Sequence, residues 1–173
     1  MRTLFLQAPS FDGFDGGAGS RYQAKREIKS YWYPTWLAQL AAMVPDSRLI
    51  DAPPHDIGLD QIVAQANDFD LVVMHSSTPT FTSDIAAARA LKAANPNLKV
   101  GLVGANIAID PRRSLEKAEP IDFVTAKDYD FTIRDVAAGK PYAEISGLCY
   151  RDENGDLQET AQRSTLTDMD DLP

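Results

Sequence analysis

The sequence predicts an α/β fold built around a parallel sheet, and three observations carry that reading. Short apolar runs rich in β-branched residues alternate with stretches of helical period, five times along the chain. The runs are continuous, as in DLVVM, which suits strands buried on both faces. After Gly139 the alternation stops and a hairpin signature replaces it.

Each element has its own signal. The strand segments are Thr3 to Leu6, Arg48 to Ile50, Leu71 to Met74, Val100 to Val103 and Asp122 to Val124. Helical patterns cover Tyr33 to Val44, Leu59 to Ala66, Ser83 to Ala94, Pro111 to Lys117 and Tyr129 to Ala138. Ala86, Ala87, Ala90, Leu91 and Ala94 form one apolar stripe, with Ser83 or Thr82 as its N-cap. Pro111 behind Asp110 is a first helical residue behind its cap. Gly139, before Lys140 and Pro141, stops the last helix. Gly147 to Arg151 and Leu157 to Thr160 then flank the turn Glu153-Asn154-Gly155-Asp156. The expectation is a Rossmann-like, flavodoxin-like sheet of five parallel strands with helices on both faces, over residues 1–141. Residues 142–173 add a β-hairpin and an acidic linker.

Composition narrows the function classes. The 173 residues are enough for one core, and 44% hydrophobic with 24% charged is the balance of a globular domain. The net charge of −8 argues against a nucleic-acid partner. Seven acids and two bases lie from Arg151 to the end, so the tail reads as a solvated linker. Cys149 is the single cysteine, which excludes an internal disulfide or a cysteine cage for metal. No run approaches a membrane span, and MRTLFLQ reads as a strand, not a signal peptide, so the expected location is the cytoplasm.

In such sheets, ligands bind beyond the carboxyl ends of the strands, near the point where strand order reverses. The loops there are therefore the candidate site. The first carries Phe11, Gly13, Gly16 and Gly17, in FDGFDGGAGSRYQ. Its glycines match neither a dinucleotide fingerprint nor a P-loop. It is either a flexible loop or, because Phe11, Phe14 and Tyr22 interleave with the glycines, a surface covered by a ligand or partner. The third-strand loop offers His75, Ser76, Ser77, Thr78 and Thr80. Its hydroxyls suit phosphate or amide groups, or else cap the next helix. The fourth offers Gly104, Ala105 and Asn106, and the fifth Lys127, Asp128 and Tyr129. No nucleophile stands paired with a base, so the rim suits holding a polar ligand more than acid–base chemistry.

Other motifs read as structure. Asp51-Ala52-Pro53-Pro54-His55 resembles the D-x-H-x-x-G of methionine-synthase-type cobalamin domains, whose histidine binds cobalt. Here the spacing is one residue too long and the stretch follows the second strand, so a turn entering a helix is the better reading. Asp152 to Asp156 lacks the twelfth-position glutamate of a calcium loop. Trp32, Tyr33 and Trp36 read as core or domain interface. A receiver domain is disfavoured: Gln7-Ala8-Pro9 and Met74-His75 replace its acidic pair and phosphoacceptor.

Taken in order, HSSTPTF, LKAANPNLKVGLVG, DFVTAKDYDFTI, ISGLCYRDENGDLQE and DMDDLP resemble the N-terminal cobalamin-binding domain of radical S-adenosylmethionine (radical SAM) enzymes. The resemblance spans essentially the whole chain. Two segments depart from it: the family's Gly-Gly-Pro-His is Val103-Gly104-Ala105-Asn106, and the glutamates of its fifth-strand turn give way to Lys127-Asp128-Tyr129-Asp130. The first loop, with SRYQAKREIKSYWYPTWLAQ, is similar more narrowly to hopanoid-biosynthesis-associated radical SAM proteins.

The resemblance implies a cofactor carrier. The rim loops would hold cobalamin base-off, leaving the lower cobalt face to water or a nonligating side chain. It implies a catalytic radical SAM barrel after Asp-Leu-Pro, holding a [4Fe–4S] cluster and S-adenosylmethionine through C-x-x-x-C-x-x-C. No such motif occurs here, so the chain reads as a fragment, silent by itself. A hopanoid substrate would bring the protein to a membrane surface without a transmembrane segment. The alternative is a domain of this fold that has lost cobalamin and positions the barrel or substrate.

Overall fold

The computed structural model describes residues 1–9 and 33–173. Seven strands form one sheet: β1 (Thr3–Gln7), β2 (Arg48–Asp51), β3 (Leu71–His75), β4 (Lys99–Val103), β5 (Phe123–Thr125), β6 (Leu148–Arg151) and β7 (Leu157–Glu159). The order is β2-β1-β3-β4-β5-β6-β7. The first five strands are parallel, and β6 and β7 join antiparallel. The sheet therefore has seven strands where five were expected. β5 is three residues long and would otherwise be an open edge. The hairpin closes it, with Cys149 opposite Val124 and Leu148 opposite Thr125.

Alternate residues of each strand feed two core layers. Leu4, Leu6, Val72, Met74, Val100 and Leu102 pack beneath α2 (Leu59–Val63), α3 (Phe81–Ala94) and α5 (Pro111–Glu116). Phe5, Leu71, Val73, Val103 and Phe123 pack beneath α1 (Thr35–Met43) and α6 (Asp130–Ala137). The continuous apolar runs arise because both faces are covered.

The local signals sit largely where expected. Asp110 Oδ1 accepts from the Arg113 backbone N–H at 3.0 Å, capping α5. Gly139, at φ 82°, ends α6: its N–H donates to Val136 O, and the Lys140 N–H to Asp135 O. The N-cap of α3 is a correction. Thr82 and Ser83 lie inside the helix, which begins at Phe81, because the Ser77–Thr80 turn already offers the Ser77 carbonyl to the Phe81 N–H. α4 (Ala105–Ile109) was not expected; five residues are too short for a clear helical period.

The tail is a second correction. It does not leave as a solvated linker but returns along α6. The Gly147 N–H donates to Ala161 O. Arg163 donates to Thr132 Oγ1 at 3.0 Å and to Asp135 Oδ2 at 2.6 Å. The Leu166 N–H reaches Asp128 Oδ2. Tyr33 is 85% exposed, so it takes no part in the core. No helix among the described residues is long and apolar enough to cross a membrane.

Candidate functional site

The strand order 2-1-3-4-5 puts the reversal between β1 and β3, as the flavodoxin-like reading requires. At the carboxyl edge beside it lies a basin of about 480 Å³, within the range of ligand pockets. Four elements line it. α1 contributes Trp36, β3 contributes His75, the β4 end and α4 contribute Gly104, Ala105, Ala108 and Ile109, and the β5 loop contributes Lys127 and Tyr129.

Each wall has a local cause. Gly104 adopts φ +134°, and a Cβ on it would run into the Ser76 carbonyl, so only glycine lets the β4 end lie this close to the β3 loop. On α4, residues 105, 108 and 109 share one face by their i, i+3, i+4 spacing. That face makes the basin floor small and apolar, and Ile109 is left 84% exposed at its edge. Lys127 holds a left-handed backbone, φ 45°, at the turn into α6. The Trp36 and His75 rings pack with centroids 4.9 Å apart.

Burial sets the charge of the basin. It lowers the His75 pKa to about 4, so the imidazole is neutral at pH 7. It raises Tyr129 to about 12, helped by Asp130. The wall groups are thus uncharged apart from Lys127, which is exposed.

Behind the β3 end is a hydroxyl network. The Ser77 N–H donates to Thr80 Oγ1 at 2.9 Å, and the Thr80 hydroxyl donates to buried Asp84 Oδ2 at 2.8 Å. Burial pushes the Asp84 carboxyl up to about 7, against the pull of Ser76 and Thr80. Buried oxygens without a hydrogen-bond partner recur along this edge: Asp51 Oδ1 at the end of β2, Ser76 Oγ after β3 and Thr125 Oγ1 at the end of β5.

The candidate residues therefore divide. His75, Gly104, Ala105, Lys127 and Tyr129 line the basin. Ser76, Ser77 and Thr80 stand behind it, and Thr80 is turned inward to Asp84. Thr78 and Asn106 join the β3 and β4 loops on the rim, the Thr78 hydroxyl donating to Asn106 Oδ1 at 2.9 Å. Asp128 faces the returning tail. Phe11, Gly13, Gly16 and Gly17 lie outside the described residues. His55 is exposed on a 3-10 turn at Pro53–His55, away from the basin lining. Trp36, Ala108 and Ile109 were not anticipated here. The i, i+3, i+4 spacing of Ala105, Ala108 and Ile109 was the available signal. Among the described residues, no group of three or more His, Cys, Asp or Glu side chains could hold a metal ion by itself.

A family model described as "B12 binding domain" matches residues 24–136. The chain belongs to the B12-binding domain family. The cofactor that goes with the family is cobalamin, and the basin suits it: a wide apolar floor without side-chain bulk at Gly104 accepts a flat macrocycle, and Ile109 gains cover. No curated protein sequence matches the chain.

Among solved structures, this B12-binding domain is similar in fold to OxsB, described as a cobalamin-dependent S-adenosylmethionine radical enzyme with aqua-cobalamin and S-adenosylmethionine bound. The TM-score is 0.67 at 14% identity, over 95% of this chain and 23% of that one. It is also similar to TsrM from Kitasatospora setae, a radical S-adenosylmethionine methyltransferase with cobalamin and a [4Fe-4S] cluster bound. There the TM-score is 0.65 at 13% identity, over 97% of this chain and 30% of that one. The chain thus spans less than a third of either protein's length.

Proposed function

We propose that this B12-binding domain carries cobalamin over the carboxyl edge of its sheet for a radical SAM enzyme. The observation that carries the reading is the apolar basin over Gly104, formed where strand order reverses. Trp36, His75, Ala105 and Tyr129 would hold the macrocycle. The unpartnered buried oxygens at the β2, β3 and β5 ends offer polar contacts along the same edge. Cobalamin supplies radical and group-transfer chemistry when bound. The domain's own residues bind it, orient it and exclude water from one face.

The radical SAM setting is supported by the ordered motifs from HSSTPTF to DMDDLP and by the titles of the two similar structures. In this reading residues 142–173 lead toward a barrel that holds the [4Fe–4S] cluster and S-adenosylmethionine. The finer proposal, modification of a hopanoid head group at a membrane surface in the cytoplasm, is supported by the first-loop resemblance alone. The test is hydroxocobalamin titration of the chain, followed by gel filtration and an absorption spectrum. Co-eluting pigment with a base-off spectrum is the expected result. Pigment that separates from protein at tens of micromolar would favour the domain that positions a barrel without a cofactor.

A further inference from the structure

We propose that His75 is the protein ligand to the cobalt of bound cobalamin. The inference rests on the cofactor reading above and adds to it a single axial contact, from the β3 loop. This position is unrelated to that of the D-x-H-x-x-G histidine.

Three observations point to His75. It ends β3 beside the reversal of strand order and lines the basin, with its backbone held in register opposite Val103. Its ring is packed against Trp36, which limits its rotation. Its Nε2 edge is left uncovered by Gly104: a Cβ there would stand 3.3 Å from Nε2, so glycine keeps that nitrogen open to the basin that both residues line. Burial is the one cause acting on the ring's proton affinity, with no hydrogen bond or neighbouring charge set against it. The lone pair is therefore not already engaged. A buried neutral imidazole without a partner is a ready metal ligand.

The chemistry needs no more than this one side chain. A corrin brings four nitrogens to its cobalt, so the lack of a three-residue ligand cluster among the described residues is no obstacle. His55, the only other histidine, is exposed and outside the basin lining.

The test is the electron paramagnetic resonance spectrum of the chain loaded with cob(II)alamin. One sample is unlabelled and the other contains ¹⁵N-histidine. A nitrogen-14 ligand splits the cobalt lines into triplets, and a nitrogen-15 ligand splits them into doublets. The expected result is triplets that become doublets on labelling. The doublets should persist in His55→Gln and vanish in His75→Gln, with pigment still bound. Triplets that survive labelling would assign the ligand to the cofactor's own base, and unsplit lines would exclude nitrogen; either overturns the proposal. Doublets that persist in His75→Gln would also overturn it. These outcomes leave cobalamin binding intact. Absence of bound pigment would instead overturn the carrier reading, and this inference with it. The isotope label leaves the chain unaltered, so the result does not depend on a variant folding.

Discussion

Gly104 and Ser76 meet backbone to backbone: the β4 end passes so close to the β3 loop that a Cβ on Gly104 would overlap the Ser76 carbonyl oxygen. The backbone φ of +134° adds a second reason for glycine. Gly104→Ala should therefore destabilise the fold by about 1–3 kcal/mol. It should also weaken hydroxocobalamin binding by roughly tenfold or more, or about 1.4 kcal/mol. Thermal melting and an absorbance titration report the two separately. A stable variant with unchanged affinity would show that the basin does not contact the cofactor.

Asp84 gives the stability an unusual pH dependence. Its folded-state pKa, about 7, lies above the ordinary value of 3.8 because the carboxyl is buried. The folded chain then holds the proton more tightly than the unfolded one. Its contribution to stability is fully present below pH 3.8 and is lost as pH rises through 7. Wild-type melting temperature should fall between pH 6 and pH 8 (roughly, allowing for the pKa itself). Asp84→Asn keeps an acceptor for the Thr80 hydroxyl and should flatten that fall. Identical profiles for the two proteins would contradict a protonated Asp84.

Arg163 holds the returning tail to α6. Burial acts to raise the Asp135 pKa, but hydrogen bonds from Lys140 and Arg163 outweigh it and hold it below 3.8. Their stabilisation is present above pH 3.8 and is lost as pH falls through the lower folded-state value. Arg163→Ala should cost about 1–2 kcal/mol at pH 7, with Lys140 still pairing Asp135. The deficit should shrink below pH 3.8. Chemical denaturation at both pH values measures it. Equal deficits at the two would show that the lost contact is packing and not charge.

The glycine loop is testable without a structural description of it. Removing residues 12–19 should weaken cobalamin binding at least about tenfold if the loop lies against the corrin. A titration that returns the wild-type dissociation constant would assign the loop to another partner.

His55 makes the opposite prediction. It is exposed on its 3-10 turn, so His55→Ala should leave the cobalt absorption spectrum of the loaded domain unchanged. A shifted spectrum would restore it as a ligand.

The sequence by itself determined the α/β class, the five parallel strands, the hairpin, the Asp110 cap and the Gly139 stop. Each of these is written in a stretch of a dozen residues or fewer, where apolar period or turn chemistry is enough. It also placed His75, Gly104 and Tyr129 at strand ends, the region that became the basin edge. Only the tertiary structure decided that the hairpin completes the sheet, that Arg163 returns to Asp135, and that Trp36 packs on His75. These contacts join residues 28 and 39 positions apart in the last two cases, and no local period encodes such pairing. It emerges when the sheet buries both faces and brings its loops to one edge.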